Sequence, residues 1–330
     1  MRVFLKLIFS LALIFVLSGW GFLMHRTINQ LAIYELPAAM QPFFFRNQEE
    51  LVKSSVRPDQ RRSKDPTEAT KHFIDLEAFG AGAEKNMPLQ WEEAVKKYSQ
   101  DTLLEYGYVP YHVVAMKSRL TKAFAAKNAD SILFLAADLA HYIGDAHVPL
   151  HTTINYDGQL TNQKGLHALW ESVIPEIDIE KFSLTSKHRA TYLKAPEKTI
   201  WNAVRSGNAM VKNLLEQERI TTLDFTESTK YRIQMRRGKE VKYYTSAFAK
   251  AYHAKLGNTI ELQLIRSADM VADFWYTCWV DGGKPDLNAM LKNPFTPAEN
   301  TRWTEELNAF QSGKLLEKGL LRAKQEKTED

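Results

Sequence analysis

Residues 141–151 read HYIGDAHVPLH, and residues 167–171 read HALWE. In the first segment His141 and Asp145 stand four apart. In the second, His167 and Glu171 repeat that interval, and His151 lies between the two pairs. Side chains at i and i+4 share one face of a helix, so each pair can close on one cation. Imidazole nitrogen and carboxylate oxygen are the usual donors to catalytic zinc. A carboxylate set between histidines can also bridge two ions, an arrangement used in phosphate-ester hydrolysis.

The surrounding pattern is helical. Residues 20–36 place Phe22, Ile28, Leu31, Ala32 and Tyr34 at helical spacing, and Pro37 closes the segment. Two helices are expected over 90–127, broken near Gly107 and Pro110. The next helix carries Ile132, Leu135, Leu139 and Ile143 into the histidine motif, with Asn128 or Asp130 as its cap. A short helix is expected over 166–174, a longer one over 196–217, and the longest over 244–280, stopped by Gly282 and Gly283. Alternation at Tyr231, Ile233 and Met235, resumed at Val241 and Tyr243, predicts a β-hairpin. Residues 46–70, interrupted by Pro58 and Pro66, read as a long loop, and 154–165 as another. There is no internal repeat. The fold class expected is all-α, a single multi-helical domain with a small hairpin insertion. It would run over 20–297, with a charged tail over 298–330 whose last stretch reads as frayed or disordered.

Length and composition fit this picture. The 330 residues suffice for a large core, and a formal charge of +4 is too small to indicate a dominant basic face. Cys278 is the single cysteine, which excludes an intrachain disulfide and a thiolate metal site. At the N-terminus Arg2 and Lys6 flank an apolar run, Leu7 to Leu17, that is short for a membrane span and followed by Ser18 and Gly19. Residues 1–19 therefore read as a signal peptide, giving a secreted or periplasmic protein. The alternative is an uncleaved anchor that keeps the protein on the membrane.

The segment HYIGDAHVPLH resembles the signature of the zinc-dependent phospholipases C and of the zinc-dependent single-strand nucleases that share their fold. The resemblance runs from Trp20 to about Glu171. It implies an α-helical enzyme with three zinc ions in one cleft. It also implies a mature chain that begins with tryptophan, whose free amino group and carbonyl oxygen ligate one ion. Carried onto this sequence, one site is formed by Asp59, His72, His141 and Asp145. A second takes Trp20, His25 and the other oxygen of Asp145, and a third takes His151, His167 and Glu171. Asp59 is preferred to its neighbour Asp65 because RPDQRR resembles the family's Asp-x-x-Arg pattern. The same pattern offers Arg62 as a phosphate clamp. Asp145 and Asp59 are the candidate catalytic carboxylates, holding or deprotonating the attacking water.

The subfamily cues divide. HYxGD and Glu171 favour a phospholipase C, slightly preferred here, which would meet a membrane surface. The five-residue step from Trp20 to His25 favours a nuclease that cuts single strands and leaves 5′-phosphates. Phe43, Phe44, Phe45, Tyr156 and Trp170 are candidates for base stacking in that case. A third reading is a zinc-binding protein without turnover. No protein partner is implied. His147 reads as supporting or rim, while His112, His188 and His253 read as ordinary structural histidines.

Overall fold

The computed structural model describes residues 21–236 and 239–325, so the leader, Trp20 and 326–330 lie outside the described residues. The architecture is all-α, with one two-stranded antiparallel sheet. Its centre is the helix Ala129–Ala146, which bears His141 and Asp145. The major helices, in chain order, are α1 (Phe22–Glu35), α2 (Arg57–Arg61), α3 (Val109–Ala125), α4 (Ala129–Ala146), α5 (Leu166–Ala168), α6 (Pro196–Thr222), α7 (Thr259–Asp281) and α8 (Pro297–Gln311).

Helix α4 is central because its sequence leaves it no polar outer face. Every residue from Leu135 to Ala146 is buried, and α1, α3, α6 and α7 all pack against it. Ala136, Ala137, Ala140 and Gly144 keep its surface low, so those neighbours approach closely. Asn128 accepts from the Ser131 amide and caps its start, as expected. The hairpin also forms as expected, Tyr231–Arg236 pairing with Lys239–Tyr244 in the register Tyr231↔Tyr244.

Four expectations fail for identifiable reasons. Residues 46–70 are not a loop: they hold helices Gln48–Ser54 and Arg57–Arg61 and a 3₁₀ turn at Ala69–Lys71. Pro58 sits in the first turn of α2, where a missing N–H costs nothing, so it opens a helix and does not break one. The region 90–127 contains three helices because Ser99, with φ of 70°, separates Trp91–Tyr98 from Gln100–Tyr106. The apolar stretch 244–280 is two helices divided at Gly257, with φ of 60°, which leaves α6 the longest at 27 residues. The charged tail is folded over its described part. Thr296 and Glu299 form a capping box at the start of α8. Beyond α8, Leu315, Leu321 and Ala323 are buried. Glu306 accepts from Tyr34, Gln48 and Arg322, at 2.9, 3.1 and 3.0 Å, which fastens α8 to α1.

Glu35, at the end of α1, is 1% exposed, and neither carboxyl oxygen has a hydrogen-bond donor among the described residues. Burial, with Asp269 alongside and Asp273 near, pushes its pKa up to about 11, against the weaker opposing pull of Arg189. Glu35 is therefore a neutral acid in the folded chain. A carboxyl whose folded pKa is raised stabilises fully below its unfolded value near 4.5, and that contribution fades as pH climbs toward about 11. Glu35→Gln removes the titration. The melting temperature of the variant relative to wild type should rise steadily from pH 5 to pH 9, with a limiting slope of about 1.4 kcal/mol per pH unit. A difference independent of pH would refute the assignment.

Candidate metal centre

Six of the eight described candidate ligands come from other elements gathered against the end of α4, which itself carries His141 and Asp145. His25 lies in the first turn of α1, Asp59 in α2, and His72 directly after the Ala69–Lys71 turn. His151 lies on a 3₁₀ turn, Pro149–Thr152. His167 lies on α5, and Glu171 on the π-helical segment Leu169–Val173 that continues it. A π segment is often found at a functional site. The helical pairs close as their spacing requires: His141 Nε2 is 3.3 Å from Asp145 Oδ2, and His167 Nε2 is 2.7 Å from Glu171 Oε2.

Asp145 joins the sets. Its Oδ2 lies 2.9 Å from His72 Nδ1 as well as against His141, and its Oδ1 lies 3.6 Å from His25 Nε2 and 3.4 Å from His151 Nδ1. Three groups have ligand atoms converging within 4.8 Å: His25, His141 and Asp145; Asp59, His72 and His141; and His151, His167 and Glu171. Compared with the sets carried over by resemblance, His141 also reaches the His25 group, Asp145 converges with that group and not with Asp59 and His72 together, and the third group has the same three residues. Trp20 lies outside the described residues.

The donor chemistry fits cations. His151 Nε2 and His167 Nε2 face each other at 3.3 Å beside Glu171, and His141 Nε2 lies 3.2 Å from His72 Nδ1. Lone pairs converging this closely are compatible only with protons or metal ions between them. Backbone carbonyls fix two of the tautomers. His141 Nδ1–H donates to Ser55 O and His151 Nδ1–H to His72 O, both at 2.8 Å, which leaves each Nε2 lone pair for the centre.

Electrostatics agree. Burial pushes Glu171 up, but bonds from His151, His167 and His25 outweigh it and hold the carboxyl well below the usual range. Burial likewise opposes ionisation of Asp145, and His141, His72 and His151 overcome it. Burial, then the neighbouring His25, lowers His141 to about 3. Burial also disfavours charge on His72, but Asp145 outweighs it and raises His72 to about 9. Cations bind the neutral imidazole and the ionised carboxylate, so metal binding by such a set releases protons.

The sequence matches the S1/P1 nuclease family over residues 20–273. The chain belongs to the S1/P1 nuclease family. It is accordingly a hydrolase of phosphodiester bonds with the fold of the phospholipase C and single-strand nuclease superfamily, and its family is zinc-dependent. A search of curated proteins finds no match. The slight preference for phospholipase C is corrected: the match is to the nuclease branch, as the step from Trp20 to His25 had suggested, and Glu171 does not discriminate.

Other residues sort clearly in this family member. Arg62 is half-exposed, lies 3.5 Å from Asp59 Oδ1, and acts electrostatically on His167. Its positive charge is thus close enough to be felt at His167. Phe43, Phe44, Phe45 and Trp170 are fully buried and cannot stack on a base. Tyr156 is 52% exposed, its ring 6.4 Å from that of His167. His147 donates to Ile143 O and is not among the converging groups. His112 packs on Tyr142, while His188 and His253 pair with Asp273 and Asp178 away from the centre. Cys278 is buried, which pushes its thiol up to about 12.

Sequence reasoning missed Glu68, which is buried behind His72, and Gly144. Glu68 stands four residues before His72, the spacing already recognised in the other pairs. A Cβ at Gly144 would come within 3.0 Å of His25 Nδ1. Gly144→Ala should therefore displace His25. Since alanine favours helix over glycine by roughly 1 kcal/mol, the metal-free fold should not suffer from propensity. The expected result is a native circular dichroism spectrum with less metal bound per chain by elemental analysis; full metal content would show that His25 is not a ligand. Asp145→Asn should lose more than one ion, because its two oxygens face different histidines, and retention of all ions would contradict that bridging position.

Proposed function

We propose that this chain is a zinc-dependent nuclease that cuts single-stranded nucleic acid and releases 5′-phosphates, acting outside the cytoplasm after loss of residues 1–19. The observation that carries the reading is the division of Asp145 between two histidine sets, with the His151, His167 and Glu171 group directly beside it. In this reading Asp59, His72, His141 and Asp145 hold one ion, and Trp20, His25 and Asp145 a second. His151, His167 and Glu171 hold a third. Two observations support removal of the leader. The family match begins at residue 20, and Gly21, with φ of 98°, lies beside Ser172, the neighbour of Glu171.

Bound zinc supplies Lewis acidity toward the phosphoryl oxygens and lowers the pKa of water toward ~7. The protein's own groups do the rest. Asp59 lies at the partly open side of the centre, near His72 and His141, at 3.7 and 3.8 Å. There its carboxylate orients the attacking water and accepts its proton. Arg62 beside it presents a planar guanidinium to the phosphate. Attack at phosphorus breaks the bond to the 3′-oxygen and leaves the phosphate on the 5′ side. Tyr156 offers one exposed aromatic face at the rim for an unstacked base, a contact that paired bases would not make.

Purified mature protein, reconstituted with zinc, should hydrolyse single-stranded DNA and bis-p-nitrophenyl phosphate and leave phosphatidylcholine intact. Turnover of the lipid without turnover of DNA would sink the reading. Arg62→Ala removes a charged hydrogen bond to phosphate. It should lower kcat/KM by roughly 10- to 150-fold, from the ~1.5–3 kcal/mol typical of such bonds. N-terminal sequencing of the exported protein should begin at Trp20.

A further inference from the structure

We propose that Glu68 is a positioning residue of the metal centre: its carboxylate accepts from His72 Nε2–H and so commits His72 Nδ1 to the metal. The proposal rests on the reading of His72 as a ligand. His72 is turned the opposite way from its neighbours. His141 and His151 spend Nδ1 on carbonyls and offer Nε2. His72 instead directs Nδ1 inward, 2.9 Å from Asp145 and 3.7 Å from Asp59. Its Nε2 is buried without a hydrogen bond, and Glu68 Oε1 lies 3.6 Å from it. That gap is slightly long for a bond. The ring stands between the two carboxylates, with Asp145 on its Nδ1 side and Glu68 on its Nε2 side.

Glu68 is built to remain an anion there. It is 1% exposed, yet it receives Lys71 Nζ at 2.7 Å, Arg61 at 3.2 Å and the Tyr142 hydroxyl. Two permanent cations thus lie directly against the carboxylate. Arg61 continues to Asp138 Oδ2 at 2.9 Å, and Arg57 to Asp138 Oδ1 at 2.7 Å. Both arginines belong to α2, which carries Asp59, and Asp138 lies one turn before His141 on α4. The carboxylate behind His72 is thus anchored by the chain of ion pairs that holds α2 against α4. A carboxylate behind a ligating imidazole fixes its tautomer and raises its basicity, and losing such a partner typically weakens metal affinity 10- to 100-fold.

The test is chelator competition for zinc in the full mature chain. Glu68→Gln, which keeps shape and removes charge, should weaken one ion by about 10- to 100-fold. Asp138→Asn loosens the ion pairs without touching His72 and should change affinity by less than about threefold. Equal affinity of Glu68→Gln and wild type, or equal losses in the two variants, overturns the proposal. Should Glu68→Gln fail to fold, nitrogen-15 spectra of the zinc-loaded wild type decide: a proton on His72 Nε2 supports it, and a proton on Nδ1 overturns it. Full zinc retention by His72→Ala would overturn the ligand reading itself, and this proposal with it.

Discussion

Everything at the centre depends on one buried carboxylate. Asp145 has been taken out of water at the end of a helix buried on every side, and it can be ionised there only because imidazoles face both of its oxygens. A lone buried charge costs several kcal/mol, so the surrounding chain must bring compensating groups to it. That requirement explains the arrangement of elements. Helix α1 delivers His25, the turn after α2 delivers His72, and the Pro149–Thr152 turn delivers His151. The segments also fix one another: His151 donates to the His72 carbonyl, and the His25 ring stacks on His141. The family's metals would replace protons as the compensating charge, so loading and acidity are opposed.

The second constraint is closeness. Helix α4 presents alanine and glycine where α1 and α7 cross it, and Gly144 leaves just enough room for the His25 ring, which stacks on His141 at 3.9 Å. A larger residue would serve the core equally well and deny the centre a ligand. The composition of the central helix is therefore set by two demands, burial and ligand approach. Its short side chains answer both.

The legible part of the site was the part written within single helices. His141 with Asp145 and His167 with Glu171 reveal themselves by a four-residue interval, because 3.6 residues per turn puts them on one face. His25 and Asp59 carry no such mark, and the one such interval at His72, to Glu68, was passed over. Their approach to α4 depends on how helices pack, which no local pattern encodes, and they were found only by likeness to a family. Misread elements share a cause. Pro58 looked like a break because its sequence does not reveal that it occupies a first turn. Segment 314–325 looked free because it is charged and terminal, yet Leu315 and Leu321 are buried and Arg322 reaches Glu306. Long-range partners decided both.

Glu68 shows where legibility could have gone further. It stands at the same interval from His72 that identified the other pairs, but the inward nitrogen of His72 is Nδ1, so the carboxylate falls behind the ring and not beside the centre. The interval alone cannot say on which side of an imidazole a carboxylate will lie. That is settled by the neighbours of the carboxylate. Asp145 is surrounded chiefly by imidazoles, which release protons readily and can yield to cations. Glu68 is surrounded by Arg61, Lys71 and a tyrosine hydroxyl, which do not. A carboxylate already neutralised by fixed cations has little electrostatic reason to bind another. The same residue type at the same spacing is therefore suited to metal in one setting and to support in the other, and the permanent charges around it make the difference.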